Sequence, residues 1–390
     1  MKSIFDMVFR RVEATEPSRI AKQRRRVKIR NLAGALALAG PALAFAQSSV
    51  LVYGVVDTGI AYVNGVGANR DSLTYMPNLS GTVPSRWGLR GSEELGGGNK
   101  AIFTLESGFA SDSGTAGQGG RMFGRQALVG VTGTWGQLSV GRQYTMLFWA
   151  MLDPDMLGPN VFGSGSFDTY LPNARADNSI AYKGTFGGFT VGATYSFGRD
   201  AVNAGPSPSG TNCAGENPTD KKQCREWSVM LKYDASAWGV AAAYDSQRGG
   251  PGAFAGLTSS SLKDDRLSLN GYFVLGKAKL GAGWLRRDNE GSATPVSDLY
   301  YAGVSYAFTP AWSGDFEGFH QRFHNSPNKA WMAAARTTYA FSKRTSVYGT
   351  AGFISNGGNL TLSVNSGSVG TNTTPGGNQL GGMLGVKHIF

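Results

Sequence analysis

The chain has 390 residues, 41% hydrophobic and 16% charged, with 57 Gly, 15 Pro and an aromatic set of 21 Phe, 15 Tyr and 8 Trp. Gly lacks a triplet period and the aromatic content is high, which excludes collagen and simple disorder and leaves a folded chain with many turns. The net charge of +11 is concentrated at the N-terminus: residues 1–46 hold ten Lys or Arg against three acids, so the remaining 27 bases and 23 acids carry only +4 and no nucleic-acid partner is expected.

Basic residues up to Arg30 precede an apolar run from Leu32 to Phe45 that ends in Ala44-Phe45-Ala46, a small-x-small site before Gln47. This pattern predicts a signal peptide over residues 1–46, cleaved after Ala46, with a mature domain over 47–390. The run carries Gly34, Gly40 and Pro41 and is shorter than the roughly 20 residues a bilayer span needs. The basic segment is long for a signal peptide, and Val27-Lys28-Ile29-Arg30-Asn31 alone would make an ordinary one. Val27 is therefore a candidate for the true translation start.

Beyond Ala46 the dominant pattern is period two. Val50, Val52, Val56, Ile60 and Tyr62 share one parity, with Tyr53 and Asp57 on the other. The alternation returns with Trp227, Val229 and Leu231 opposite Ser228 and Lys232, with Phe316 opposite Asp315 and Glu317, and with Trp331, Ala333, Ala335 and Tyr339 opposite Arg336 and Thr338. These segments predict strands of roughly ten residues. Short Gly-rich turns (Gly96-Gly97-Gly98-Asn99, Gly187-Gly188) alternate with long polar stretches, and aromatics gather at strand ends: Tyr300, Tyr301, Tyr306 and Phe308, then Tyr339 and Phe341. A soluble β-sandwich of this length would need a domain boundary, and none is visible. The pattern predicts an all-β, transmembrane, antiparallel up-and-down barrel of about sixteen strands, wide enough for an aqueous lumen.

Leu384, Val386, His388 and Phe390 share one parity and end in a C-terminal aromatic, which resembles the signal read by the outer-membrane barrel-assembly machinery. Further matching stretches are Val52-Tyr53-Gly54-Val55-Val56-Asp57, Ser85-Arg86-Trp87-Gly88-Leu89-Arg90-Gly91-Ser92-Glu93-Glu94-Leu95-Gly96, Phe123-Gly124-Arg125-Gln126 and Gly141-Arg142-Gln143-Tyr144. Through these the chain resembles the Gram-negative general porins of the β-proteobacterial branch. The resemblance implies a homotrimer in the outer membrane, beside lipopolysaccharide, that passes small hydrophilic solutes by passive diffusion. It also implies a third extracellular loop, about Thr145 to Asp177, folded into the lumen.

A porin selects by sterics and by a fixed field at its narrowest point. By resemblance Arg86, Arg125 and Arg175 form a basic cluster on the wall, with Arg90 and Arg142 as weaker candidates. Glu106 is a lumenal acid near them, and Asp153, Asp155 and Asp168 on the loop are expected to form the opposing pole. Where these porins usually have Pro-Glu-Phe-Gly, this loop has Pro159-Asn160-Val161-Phe162-Gly163. The missing acid tilts the field positive and predicts a weak to moderate anion preference. Cys213 and Cys224, alone in one exported loop, are expected to form a disulfide. No cofactor or metal is expected, since zinc wants four ligands and the histidines are His320, His324 and His388. Hydrolase, metalloprotease and phosphate-loop motifs are absent, so an outer-membrane enzyme is a lesser alternative. A substrate-specific channel is a second one, although lumen-parity aromatics such as Tyr53 and Tyr272 are scattered.

Overall fold

The computed structural model describes residues 49–78, 81–205, 209–366, 368 and 370–390. The export segment expected over residues 1–46 lies outside them. Seventeen strands are described: β1 (Ser49–Val66), β2 (Asp71–Tyr75), β3 (Arg86–Gly96), β4 (Asn99–Gly108), β5 (Gln126–Gly133), β6 (Gly136–Tyr144), β7 (Arg175–Phe186) and β8 (Phe189–Ser196) in the first half. They continue as β9 (Glu226–Asp234), β10 (Trp238–Arg248), β11 (Lys263–Leu275), β12 (Ala278–Asn289), β13 (Val296–Ala307), β14 (Trp312–Phe323), β15 (Lys329–Ala340), β16 (Thr345–Gly357) and β17 (Asn378–Ile389).

From β3 to β17 each strand pairs antiparallel with the next, as period-two segments joined by short turns must. β17 then pairs with β1, Val55 opposite Ile389 and Val63 opposite Gly381, which closes the sheet. Gly54 and Phe390 exchange both backbone hydrogen bonds at 3.1 Å. β2 and β3 lie end to end on the other edge of β1, β3 against Ser49 to Val55 and β2 against Ala61 to Val66. They make one interrupted wall strand, so the closed barrel has sixteen. Closure leaves no unpaired edge, which a membrane wall requires.

The outward parity is apolar: Val50 is 65%, Ile60 60% and Leu384 74% exposed. Aromatics ring the short-turn end (Trp135, Phe186, Phe189, Trp238, Trp312, Phe341) and the long-loop end (Tyr195, Trp227, Tyr300, Trp331), all of them exposed. This is the two-girdle dress of a lipid-facing barrel. Tyr301, grouped with these in sequence, instead points inward and is buried, because it sits on the opposite parity from Tyr300. At the short-turn end, Gly187 and Gly188 join β7 to β8 with φ of 54° and 89°, a left-handed turn that side chains resist.

The interior is occupied by residues 145–174. A short helix, α1 (Met146–Met151), opens the segment and packs on β9, β10 and β11. Met146, Leu147, Leu157, Phe162, Phe167 and Leu171 form one buried cluster with Leu285, Phe319, Met332 and Ile354 of the far wall. At the long-loop end Cys213 and Cys224 are joined as a disulfide and pack against Ala253 and Leu257 of the next loop.

Candidate functional site

The inward parity of β3, β4, β5 and β7 brings together residues far apart in sequence. Arg86 and Arg125 both reach Glu106, at 3.5 Å (Nε to Oε2) and 2.7 Å (Nε to Oε1). The Tyr53 hydroxyl also donates to Glu106 at 3.0 Å. Arg125 Nη2 donates to the Tyr144 hydroxyl at 2.5 Å, and Arg175 Nη2 donates to the same oxygen at 2.8 Å. The Arg175 guanidinium lies 4.4 Å above the Tyr144 ring, itself stacked on Phe148 at 3.9 Å. Three guanidiniums are thus held side by side by one carboxylate and one phenol, a local charge of +2. Arginine suits this crowding because it keeps its proton beside like charges.

Arg90 stands one layer away, its guanidinium 5.4 Å from the Tyr53 ring. Arg142 does not join the cluster. It donates to Asp177 at 2.6 Å and to the Gly124 carbonyl at 2.7 Å, beside Arg121, which bonds Asp177 and Asp200. The reason is a bulge: the ladder between β6 and β7 shifts between Gly141 and Gln143, opposite Asn178 at φ 48°. The same bulge hides the start of β7 from a parity reading, which places the strand from Asn178 rather than from Arg175.

The loop acids do not face the cluster across the lumen as an opposing pole. Each is turned to the wall and compensated there. Asp153 meets Lys232 Nζ at 2.5 Å and Lys279 Nζ at 3.6 Å. Asp168 accepts from Arg266 Nε at 2.8 Å, and Arg266 and Arg287 both pair with Asp264. Burial pushes the Asp168 carboxyl up, but Arg266 and Arg287 outweigh it and hold it at about 2. Asp155 accepts from Ser164 Oγ at 2.6 Å and is hydrogen-bonded to Glu317, a contact between two carboxyls that takes a shared proton. Burial accordingly raises Asp155. The physical reason is local: a buried acid costs several kcal/mol unless a base or a proton meets it, and the wall supplies both.

Arg336 completes the fastening. It donates to the carbonyls of Met156 and Leu157 on the loop, to the Gly81 carbonyl in the gap between β2 and β3, and to Asp315. Asn160, in the place of the usual acid, donates to the Thr82 carbonyl at 2.7 Å. Thr82 and Val83 in turn bond Asp57, which also accepts from Tyr348 at 2.7 Å. Sequence reasoning missed Tyr144, Lys232, Arg266, Lys279, Arg287 and Arg336 as members of this machinery. The available signal was a lone base or phenol on the polar parity of a strand. At the rim, His388 shares a 2.9 Å hydrogen bond with Thr345.

A sixteen-stranded membrane barrel with an inner segment strapped across it and arginines on the wall defines a β-barrel channel. The family model of the Gram-negative porins matches residues 32–359, and the chain belongs to that family, whose place is the outer membrane. It is 35% identical over 229 residues to an outer membrane porin protein of Bordetella pertussis, covering 55% of this chain and 58% of that one. Against outer membrane porin protein 32 of Delftia acidovorans it is 29% identical over 369 residues, 90% of this chain and 97% of the relative. The anion-selective porin from Comamonas acidovorans has the same fold, with a TM-score of 0.69 at 24% identity over 88% of this chain and all of that one. OmpT of Vibrio cholerae shares it at a TM-score of 0.60 and 15% identity, covering 88% and 98%.

Proposed function

We propose that the chain is a non-enzymatic, water-filled channel with a weak to moderate anion preference, narrowed between residues 145–174 and the wall bearing Arg86, Arg125 and Arg175. One observation carries this: the loop acids Asp153, Asp155 and Asp168 are spent on the far wall, while Arg86 and Arg125 meet at Glu106 and Arg175 is held beside them by the neutral Tyr144 hydroxyl. The uncompensated field at the waist is therefore positive, and anions are favoured on entry. The likeness to relatives named as porins, one of them anion-selective, supports the same reading.

The mature protein, cleaved after Ala46, assembles as a homotrimer in a bilayer containing lipopolysaccharide, and its last strand, with His388 and Phe390, is read by the barrel-assembly machinery. A similar barrel is recorded in a trimer form. The test is swelling of liposomes carrying the purified protein. Neutral sugars should enter, and small monocarboxylates should enter faster than cations of equal size. Entry of one solute class only, with sugars excluded, would replace the general channel by a substrate-specific one.

A further inference from the structure

The outer face of β12 to β15, at the long-loop end, carries three successive rungs of unlike chemistry. The outermost rung is Arg286, Asp298, Arg322 and Lys329, each directly opposite the next across the strands. One rung nearer the barrel's middle stand Trp284, Tyr300, His320 and Trp331, again in register. The third rung is Ala282, Ala302, Gly318 and Ala333.

The charged rung is built, not scattered. Asp298 is fully buried and accepts from Arg286 through Nε at 2.9 Å and Nη2 at 3.2 Å, from Trp284 Nε1 at 2.9 Å, and bonds His324 Nε2 at 2.6 Å. With its oxygens saturated, it approaches Arg322 only at 3.7 Å. The Arg322 side chain is 55% exposed and that of Arg286 43%. Among the described residues Lys329 makes no ion pair, and it is exposed. Counting exposed Asp288, one rung further out, Arg286, Arg322 and Lys329 still outnumber Asp288 and Asp298.

Below it the aromatic rung is continuous, His320 stacking on Trp331 at 3.7 Å and lying 6.4 Å from Tyr300. The small rung leaves a trough: a Cβ at Gly318 would meet nothing within 4 Å. The loops that join these strands above the cations are short, residues 290–295 and 324–328, and the longer neighbouring loops touch them at their edges, through Asn359 on Asn328 and the Ala255 carbonyl on Asn289.

Aromatic rings mark the membrane interface, and the cations lie about 7 Å beyond them along the strand, at headgroup level. We infer that this face is a binding site for a phosphate-bearing lipid of the outer leaflet, with Arg322, Lys329 and Arg286 on the phosphate, the aromatic rung beside the headgroup and an acyl chain in the trough over Gly318. Arginine and lysine donors suit phosphate oxygens, and desolvation at the interface strengthens the pairing. The inference rests on the outer-membrane placement but not on the ion preference of the pore.

The test is native mass spectrometry of the full mature protein with a bisphosphorylated diglucosamine lipid and with the same lipid dephosphorylated. The protein should retain the phosphorylated lipid preferentially, and the paired exposed changes Arg322→Gln and Lys329→Gln should weaken retention about tenfold. Gly318→Leu, which fills the trough without touching charge, should weaken both lipids. Equal retention of the two lipids, or unchanged retention by the paired variant, overturns the site. If the variants leave lipid binding intact but dissociate the oligomer, the face is an interface between copies and the inference fails. Bilayer conductance of the same samples separates this from the pore reading, because neither variant touches the lumen.

Discussion

Tyr144 is the residue on which the inner wall turns. Its hydroxyl receives both Arg125 and Arg175, so two cations that would repel are held together without a second carboxylate. Glu106 is then the one acid setting the local charge, and Glu106→Gln should raise it from +2 to +3. At about 8 Å in a water-like dielectric one charge shifts an anion and a cation by about 0.5 kcal/mol each in opposite directions, so the anion-to-cation permeability ratio should rise about sixfold. Zero-current potentials of wild type and variant check this, and a fall in the ratio would contradict it. Asp168 sets an acid limit. Its carboxyl is depressed in the folded protein, so the anchoring it gives with Arg266 is complete above the ordinary carboxyl range and is lost as pH falls through about 2. Single-channel conductance at constant ionic strength should hold from neutrality to about pH 4 and change near pH 2. In Asp168→Asn the altered conductance should already be present at neutral pH.

At the scale of elements, the strands were legible because one face meets lipid and the other water, and period two records that division residue by residue. Legibility stopped where alternation stops. The bulge at Asn178 concealed the first residues of β7, and the interruption between β2 and β3 left no periodic trace. The inner segment's length could be read, but its path could not, since its fastenings join residues far apart in sequence, 98 positions for Asp168 with Arg266 and 180 for Met156 with Arg336. For that reason the loop acids were expected to face the arginines and instead turn to the opposite wall, Asp153 and Asp168 to its bases and Asp155 to the Glu317 carboxyl. Arg336 clamps two inward segments at once, through Met156 and Leu157 on one and Gly81 on the other. Arg336→Gln should loosen both while leaving the barrel closed. The expected readout is larger and noisier single-channel conductance with unchanged strand content by circular dichroism. Unchanged conductance would remove Arg336 from the constriction.

For the molecule as a whole, a closed wall, a strapped inner segment and a residual positive field act together. Closure satisfies the backbone in lipid, and in the proposed reading the buried segment sets the bore and the arginines set the sign. Arg86, Arg125 and Glu106, grouped by resemblance, are close in the fold because β3 and β4 adjoin and Arg125 directly precedes β5, beside Glu106. Resemblance could not reveal that Asp153, Asp155 and Asp168 are neutralised, which depends on three-dimensional partners. The field also predicts a salt dependence: at molar salt the Debye length falls to about 3 Å and preference should fade.

The most direct test is the zero-current potential of the mature protein in a planar bilayer across a gradient of dilute salt, with and without Arg86→Gln, Arg125→Gln and Arg175→Gln together. The account predicts an anion-favouring potential that is abolished or reversed in the triple variant and shrinks as salt is raised. A cation-favouring potential in the wild type, or one the triple variant leaves unchanged, would contradict it.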